Sequence, residues 1–435
     1  MSFFSTAGET PASRPPGTEQ AAVAALAVKA AELPARGTAP SDSMPTSGSP
    51  IAATGRGFSV HGWLWWMCYL LAWVVTLTLC IVAGLHIFYH DGTYFLAWIN
   101  AFTRYVYLPA YPCLVWAAWQ RRWRLAFAGL AIVACHFVWM APDFVRDRRF
   151  DLPAEPAAKK QFQNRLGKGG QAHFAPKTPQ NEPVPGSFET AAKAVAESPT
   201  VRIFFANVLQ TNREFDAMLQ EIATANPDAV VVAEWGWGWN KAFKQSPLSA
   251  SYPHGTSAKQ PHFGMVNIFS KLPLNSEMQN WVAGRLVRTA DIRLGAQTLR
   301  LVALHAPRPL YAPTYDYDGY WNQLMPLLKT ETGPLLVVGD FNATEHSLVY
   351  KRLKAAGLRS AHDDRGRGYA TTWPNGAYWL PPIRIDQAFL SPEVECLGIA
   401  EGRGRGSDHK PLIIDVQVRK GVPRPVPALA AGVDR

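Results

Sequence analysis

The stretch GWLWWMCYLLAWVVTLTLCIVAGL, residues 62–85, carries no charge over its whole length. It is long enough to cross a bilayer. The competing reading is the core helix of a soluble fold, but charge-free runs of this length are rare in water-soluble proteins. A second apolar run ends in YVYLPAYPCLVWAAW, residues 105–119, and the spanning helix expected here covers about 102–119. It is short, holds Pro109 and Pro112, and has Arg104 at its edge, so a re-entrant segment is the alternative. A third run, LAFAGLAIVACHFVWMAP at 125–142, is just long enough to span. His136 inside it reads as a polar residue facing a neighbouring helix, with a functional site as the other possibility.

Between the second and third runs lies QRRWR, residues 120–124. Positive charge close to membrane ends stays on the cytoplasmic side. Three spans over 58–145 then leave the first 57 residues and QRRWR in the cytoplasm, and everything after residue 143 on the far side. Without the second span this parity is lost. Nine of the 16 tryptophans precede residue 140, as a membrane interface would require.

Residues 1–57 are rich in Ala, Pro, Ser, Thr and Gly and read as a disordered tail. Their start, MSFFSTAGETPAS, lacks the basic opening and apolar run of a signal peptide. Residues 146–199 have the composition of a linker, and 421–435 form a short tail. The chain carries a formal charge of +10. Between 201 and 420, however, 24 Lys and Arg stand against 20 Asp and Glu. That mild excess does not by itself make a nucleic-acid binder. Of the five cysteines only Cys396 lies in this half, so the half forms no internal disulfide.

From 200 to 420 the pattern changes to short apolar runs separated by turns. Strands are expected at 201–208, 229–235, 264–270, 288–294, 298–305, 335–341, 384–390 and 410–418. Helices are expected over 211–228, 320–330 and 347–357, the first with Thr211 and Glu214 at capping-box spacing. Packed sheets covered by helices are the economical architecture.

Several of these strands end on a residue able to do chemistry. Asn207 lies in the first, Glu234 closes VVVAE, His305 closes LVALH, and LLVVGDFN delivers Asp340 and Asn342. RIDQ supplies Asp386, and Ser407-Asp408-His409 precede the last strand. Each alone has an ordinary explanation: Asp and Asn are turn formers, and a single His is more often structural than catalytic. As a set they are harder to dismiss, because buried strands tolerate carboxylates only where these are paired or metal-bound.

Taken in order, Asn207, Glu234, His305, Gly339-Asp340-Phe341-Asn342, Arg384-Ile385-Asp386 and Ser407-Asp408-His409 resemble the endonuclease/exonuclease/phosphatase superfamily of DNase I-like nucleases, sphingomyelinases and inositol polyphosphate phosphatases. The resemblance covers about residues 200–420. It implies an α/β two-sheet sandwich flanked by helices, here preceded by an N-terminal bundle of about three transmembrane helices. It also implies metal-assisted attack of water on a phosphate ester. Glu234 would bind the metal, with Asn207 beside it and Asp408 as a third candidate; oxygen ligands favour Mg²⁺ or Mn²⁺ over Zn²⁺. His409 would act on the water or orient the phosphate, with Asp386 holding its ring, and Asp340 is the other candidate base. Asn342 and His305 would donate to the phosphoryl oxygens.

The three-span N-terminus is similar to a membrane-anchored bacterial branch, implying an inner-membrane protein with its catalytic domain on the periplasmic side. Nucleic acid and a phospholipid headgroup are both candidate substrates. The bilayer is the implied partner through the N-terminal helices, and no protein partner is implied. A catalytically weak scaffold of the same fold is the competing class of function. Two departures stand out. Ala233 occupies the position before Glu234 where the family often has Gln, and WGWGWN (235–240) follows it, either a surface turn or a platform for an aromatic or lipid group. RGRG occurs twice, at 365–368 and 403–406, either as solvated flexible loops or as phosphate-tracking arginines.

Overall fold

The computed structural model describes residues 60–145, 200–256, 266–309, 314–376 and 379–419. The expected tail 1–57, linker 146–199 and C-terminal tail 421–435 lie outside the described residues. Those that are described fall in one compact unit.

Two helices, α1 (Val60–Tyr89) and α5 (Trp123–Phe144), are long and apolar enough to cross a membrane. Within the most apolar stretch of each, 28% and 33% is buried. Leu71, Ile81, Phe127 and Phe137 point outward into whatever surrounds them. The second apolar run departs from the single spanning helix expected. After a short helix α2 (Tyr94–Ala101), it forms two more, α3 (Thr103–Val106) and α4 (Ala110–Trp119). Proline is the reason. Pro109 has no N–H to continue the helix from α3, and it sits instead at the N-cap of α4. At about 1.5 Å per residue, α4 alone extends roughly 15 Å, half a hydrocarbon core.

The broken segment nevertheless runs back along α1. Trp116 packs against Trp65 and Tyr69, with ring centroids 6.3 and 6.5 Å away, while Tyr107 and Ala110 meet Leu79 and Ala83. It pairs equally with α5: Leu114 lies against Gly129, and the Tyr111 hydroxyl is 3.1 Å from His136 Nδ1. His136 thus faces a neighbouring helix. Arg122 stacks on Trp65 and Tyr69, so the QRRWR turn and the start of α1 share one end of the bundle. Asp91, Arg104 and Asp143 gather at the other.

Two six-stranded mixed sheets follow, packed face to face with helices outside. One sheet has the order β11-β12-β1-β2-β4-β3 and the other β5-β6-β7-β8-β10-β9. The strands are β1 (Thr200–Asn207), β2 (Ala229–Ala233), β3 (His254–Gly255), β4 (Asn267–Ser270), β5 (Leu274–Val282) and β6 (Arg285–Leu294). Then come β7 (Gln297–His305), β8 (Leu335–Asp340), β9 (Arg359–Ser360), β10 (Asp386–Leu390), β11 (Val394–Glu401) and β12 (Leu412–Val418). Ile203, Phe205, Val231, Leu301, Val338 and Ile414 interlock between the sheets. Helices α6 (Phe215–Ala225) and α7 (Trp237–Gln245) cover the first sheet, followed by the turn α8 (Leu248–Ser251). On the second sheet lie α9 (Thr314–Thr330), α10 (Leu348–Ala355) and the turn α11 (Ala361–Asp364).

The structure bears on three local expectations. The capping box is not formed: Asn212, not Thr211, organises the start of α6, its Oδ1 accepting from the Glu214 N–H at 2.7 Å. WGWGWN is not a surface turn. It opens α7, and Trp235 and Trp239 are buried beside Phe215, Phe243 and Phe269, leaving only Trp237 outside. In the 403–406 RGRG segment Gly404, at φ +60°, is buried so close to the His409 carbonyl oxygen that a Cβ would overlap it, while Arg403 and Arg405 are exposed.

Candidate active site

β1 and β2 run parallel, as do β7 and β8, whereas β10 and β12 run antiparallel to their neighbours. The C-terminal ends of the first four and the N-terminal ends of the last two therefore share one rim of the sandwich. Register completes the alignment. His305 lies opposite Asp340, and Asp340 lies opposite Asp386. Asn207 lies opposite Ala233, one residue before Glu234. Gly339 is what lets β8 approach β7 here, because any Cβ would overlap the Leu304 carbonyl.

Glu234 leaves β2 in the left-handed region at φ +58°, a conformation that turns its side chain along the rim and that non-glycine residues seldom adopt. Its Oε1 accepts from Asn207 Nδ2 at 3.1 Å and its Oε2 from the Gln210 N–H at 3.2 Å. Arg308 Nη2 stands 3.5 Å from Oε1. Asn207 Nδ2 also donates to Asp340 Oδ2 at 3.1 Å, so one amide joins carboxylates from the two sheets. Its Oδ1 accepts from the Leu209 N–H at 3.2 Å.

On the other side His409 Nδ1 lies 2.9 Å from Asp386 Oδ2. His409 Nε2 faces Asp340 Oδ2 at 3.8 Å, and His305 Nε2 faces the same oxygen at 3.5 Å. Asp340 Oδ1 accepts from the Asn342 N–H at 2.9 Å. Asn342, at φ +47°, uses its side-chain amide to hold the Ala306 carbonyl at 2.9 Å. Asp408 Oδ2 accepts from the Trp373 indole at 3.1 Å, and its Oδ1 is 4.0 Å from His409 Nε2. The Ser407 hydroxyl donates to the Asn207 carbonyl at 2.7 Å and accepts from the His409 N–H at 3.1 Å. All eight residues expected from the sequence are thus brought to one rim. The Asn342 side-chain amide donates to a backbone carbonyl, that of Ala306, rather than to another residue of the set.

The electrostatics separate the roles. Burial opposes a charge on His409, but Asp386, Asp340 and Asp408 outweigh it, and the pKa is raised to about 9. The ring is therefore protonated at neutral pH. Burial lowers the pKa of His305 despite Asp340 and Glu234, so that ring is neutral. Asp340 is pushed up by burial and by the nearby Asp386 carboxylate. Burial also works against Glu234, yet His305, the Gln210 amide, Asn207 and Arg308 together hold its pKa below the usual carboxylate value.

The donor atoms of Asp340, Asp386 and His409 lie within 4.8 Å of one another. Asp386 Oδ1 and His305 Nδ1 are buried without a hydrogen-bond partner. Asp386 raises the pKa of Asp340, and the charged His409 ring beside both offsets their repulsion. Glu234, held below the usual carboxylate range, offers with Asn207 and Asp408 a set of oxygen donors with no thiolate, which fits Mg²⁺ or Mn²⁺. A second cluster, Asp143, Glu345 and His346, has similar spacing. Two guanidiniums already sit in it, Arg104 and Arg384, so its negative charge is met without a metal.

Several participants were not expected. Arg308 lies three residues beyond His305, and a lone cation next to a strand end was the only signal for it. The Thr372 hydroxyl accepts from the Ile385 and Asp386 N–H groups, both at 3.1 Å, and Asn375 Nδ2 donates to the carbonyls of Arg403, Gly404 and Ser407. These and Trp373 come from a loop without strong periodicity, where spacing carries no information.

The ends of two packed sheets thus bring paired carboxylates and imidazoles to one rim of an α/β sandwich, an arrangement able to activate water. Residues 203–409 match the model of the Endonuclease/Exonuclease/phosphatase family. Similar solved structures include TDP2 of D. rerio complexed with single-strand DNA product, at 16% identity and a TM-score of 0.43, covering 50% of this chain and 98% of that one. The human Nocturnin catalytic domain with bound sulfate matches at 17% identity and 0.40, covering 51% and 95%. An endonuclease/exonuclease/phosphatase from Bacteroides vulgatus matches at 17% and 0.42, covering 51% and 100%. No curated protein matches this chain.

Proposed function

We propose that this protein is a membrane-anchored, divalent-metal-dependent phosphoesterase that hydrolyses a phosphodiester. The observation that carries the reading is the unbroken chain Glu234–Asn207–Asp340–His409–Asp386, which crosses from one sheet to the other through side-chain contacts alone.

A Mg²⁺ or Mn²⁺ held by Glu234, with Asn207 and Asp408 beside it, would supply Lewis-acid polarisation of the phosphoryl group. The chain's own residues do the rest. Asp340, hydrogen-bonded at both oxygens, takes the proton of the attacking water. His409, charged and fixed by Asp386, presents Nε2 to a phosphoryl oxygen and stabilises the charge that grows there. Neutral His305 donates from Nε2, and Arg308 offers a second cation at the rim. Removing one such donor is expected to cost on the order of a hundredfold or more in rate.

Membrane anchoring rests on α1 and α5, with the broken α2–α4 segment as the return pass. In that arrangement the QRRWR turn faces the cytoplasm and the sandwich lies on the periplasmic side of a bacterial inner membrane. The substrate is a nucleic acid or a phospholipid headgroup. The test is to offer the detergent-solubilised full chain plasmid DNA, phospholipid vesicles and an aryl phosphodiester, each with Mg²⁺, Mn²⁺ or EDTA. Metal-dependent turnover of at least one supports the reading and selects the substrate class. A folded protein that turns over none of them overturns it.

A further inference from the structure

We infer that Arg104, contributed by the apolar helical region, is a positioning residue for the candidate active site. This rests on the catalytic reading above. Arg104 lies in α3, is almost fully buried, and reaches out of the bundle into the sandwich. Its Nη2 meets Glu345 Oε1 at 2.5 Å and also donates to the Gly368 carbonyl, while Nη1 reaches the Tyr369 carbonyl at 3.3 Å. Its Nε is 3.4 Å from Asp143 Oδ2, and its guanidinium lies over the Tyr369 ring, 4.6 Å from the centroid.

The two segments gripped in this way are the ones that carry the site. Glu345 belongs to the turn that leaves β8 after Asp340 and Asn342. Gly368 and Tyr369 open the loop that delivers Thr372 and Trp373, the residues that hold Asp386 and Asp408. Arg384, two residues before Asp386, closes the figure. Its Nη1 donates to the carbonyls of Arg367 and Gly368, both at 3.1 Å, and its Nη2 lies 3.4 Å from Glu345 Oε2. Glu345 is thus shared between an arginine of the site's own domain and one from the bundle. Burial alone would raise its pKa, but Arg104 and Arg384 bring it down to about 2.

Further contacts align the same junction. Asp91 Oδ2 accepts from the Leu348 N–H at 2.5 Å, in the first turn of α10. The Tyr105 hydroxyl donates to the Pro382 carbonyl at 2.7 Å. Phe102 packs with Ile383 and Ile385, and Trp98 and Trp373 border that cluster. Without the bundle the sandwich would keep its strands but lose the cation that clamps its two site-bearing segments together.

The experiment compares full-chain Arg104→Gln, Arg104→Lys and Glu345→Gln with Arg124→Gln, an exposed residue at the opposite end of the bundle. Metal-dependent hydrolysis of an aryl phosphodiester is read as kcat and KM separately. Hydrogen exchange is read in parallel over residues 340–347 and 366–375. Arg104→Gln and Glu345→Gln are expected to lower kcat on the order of tenfold or more with little change in KM, because misplacement of about 1 Å is that costly. They should also speed exchange in both segments, with Arg104→Lys recovering part of each effect and Arg124→Gln matching the unaltered protein. Unchanged exchange and kcat in Arg104→Gln would overturn the inference, as would a rise in KM alone. If the unaltered chain hydrolyses nothing, the catalytic reading fails, and the exchange data still decide whether Arg104 orders these segments. Should Arg104→Gln not fold, the isosteric Glu345→Gln gives the same two readouts.

Discussion

At the scale of single residues, charge and close approach decide what the rim can do. His409→Ala removes the charged donor and should abolish turnover, whereas Asp386→Asn keeps the ring in place but weakens the field that holds its proton. The pH dependence follows from the raised pKa of about 9. The contribution of the Asp386–His409 pair to stability is fully present below the ring's unfolded value of about 6.5 and is lost as pH rises through 9. Thermal denaturation between pH 7 and 10 should therefore show a steeper fall for the unaltered protein than for His409→Ala; parallel curves would contradict a charged His409. Gly339 makes a second, steric prediction. Because a Cβ there meets backbone rather than a movable side chain, Gly339→Ala should destabilise the domain severely, measured as loss of soluble folded protein on expression.

At the scale of elements, the sequence was legible where one side-chain period dominated. The apolar strands β2, β8, β10 and β12 are buried throughout, β1 and β7 are buried from Val201 and Leu301 onward, all six read directly as strands, and their terminal polar residues lie on a common rim. What was missed had no such signature. β5 is an exposed edge strand without an apolar face, and β11 mixes Glu, Cys and Gly. WGWGW looked like a loop because glycine interrupts it, yet packing against Phe215 and Phe269 overrides local propensity and makes it the start of a helix. Trp239→Ala should accordingly cost about 3–5 kcal/mol of stability by chemical denaturation, the range for emptying an aromatic site in a core. Trp237→Ala, at an exposed position, should change it by less than about 0.5 kcal/mol. The break in the second apolar run has a cause legible in the sequence, because Pro109 cannot continue α3 and starts α4 instead.

At the scale of the whole molecule, the helical bundle and the sandwich meet through buried charge, a feature with no counterpart in sequence spacing because Arg104 and Glu345 are 241 residues apart. A reporter fused after residue 419 should be active outside the cytoplasm; a cytoplasmic signal there would contradict the proposed return pass through α2–α4. The central claim is metal-dependent hydrolysis at the Asp340–His409 rim, and the most direct measurement strips the full-chain protein with EDTA and then restores Mg²⁺ or Mn²⁺ while following an aryl phosphodiester. The expected result is no turnover when stripped, recovery on adding metal, and none at any metal concentration for His409→Ala. Turnover that survives EDTA, or that survives His409→Ala, would contradict the account.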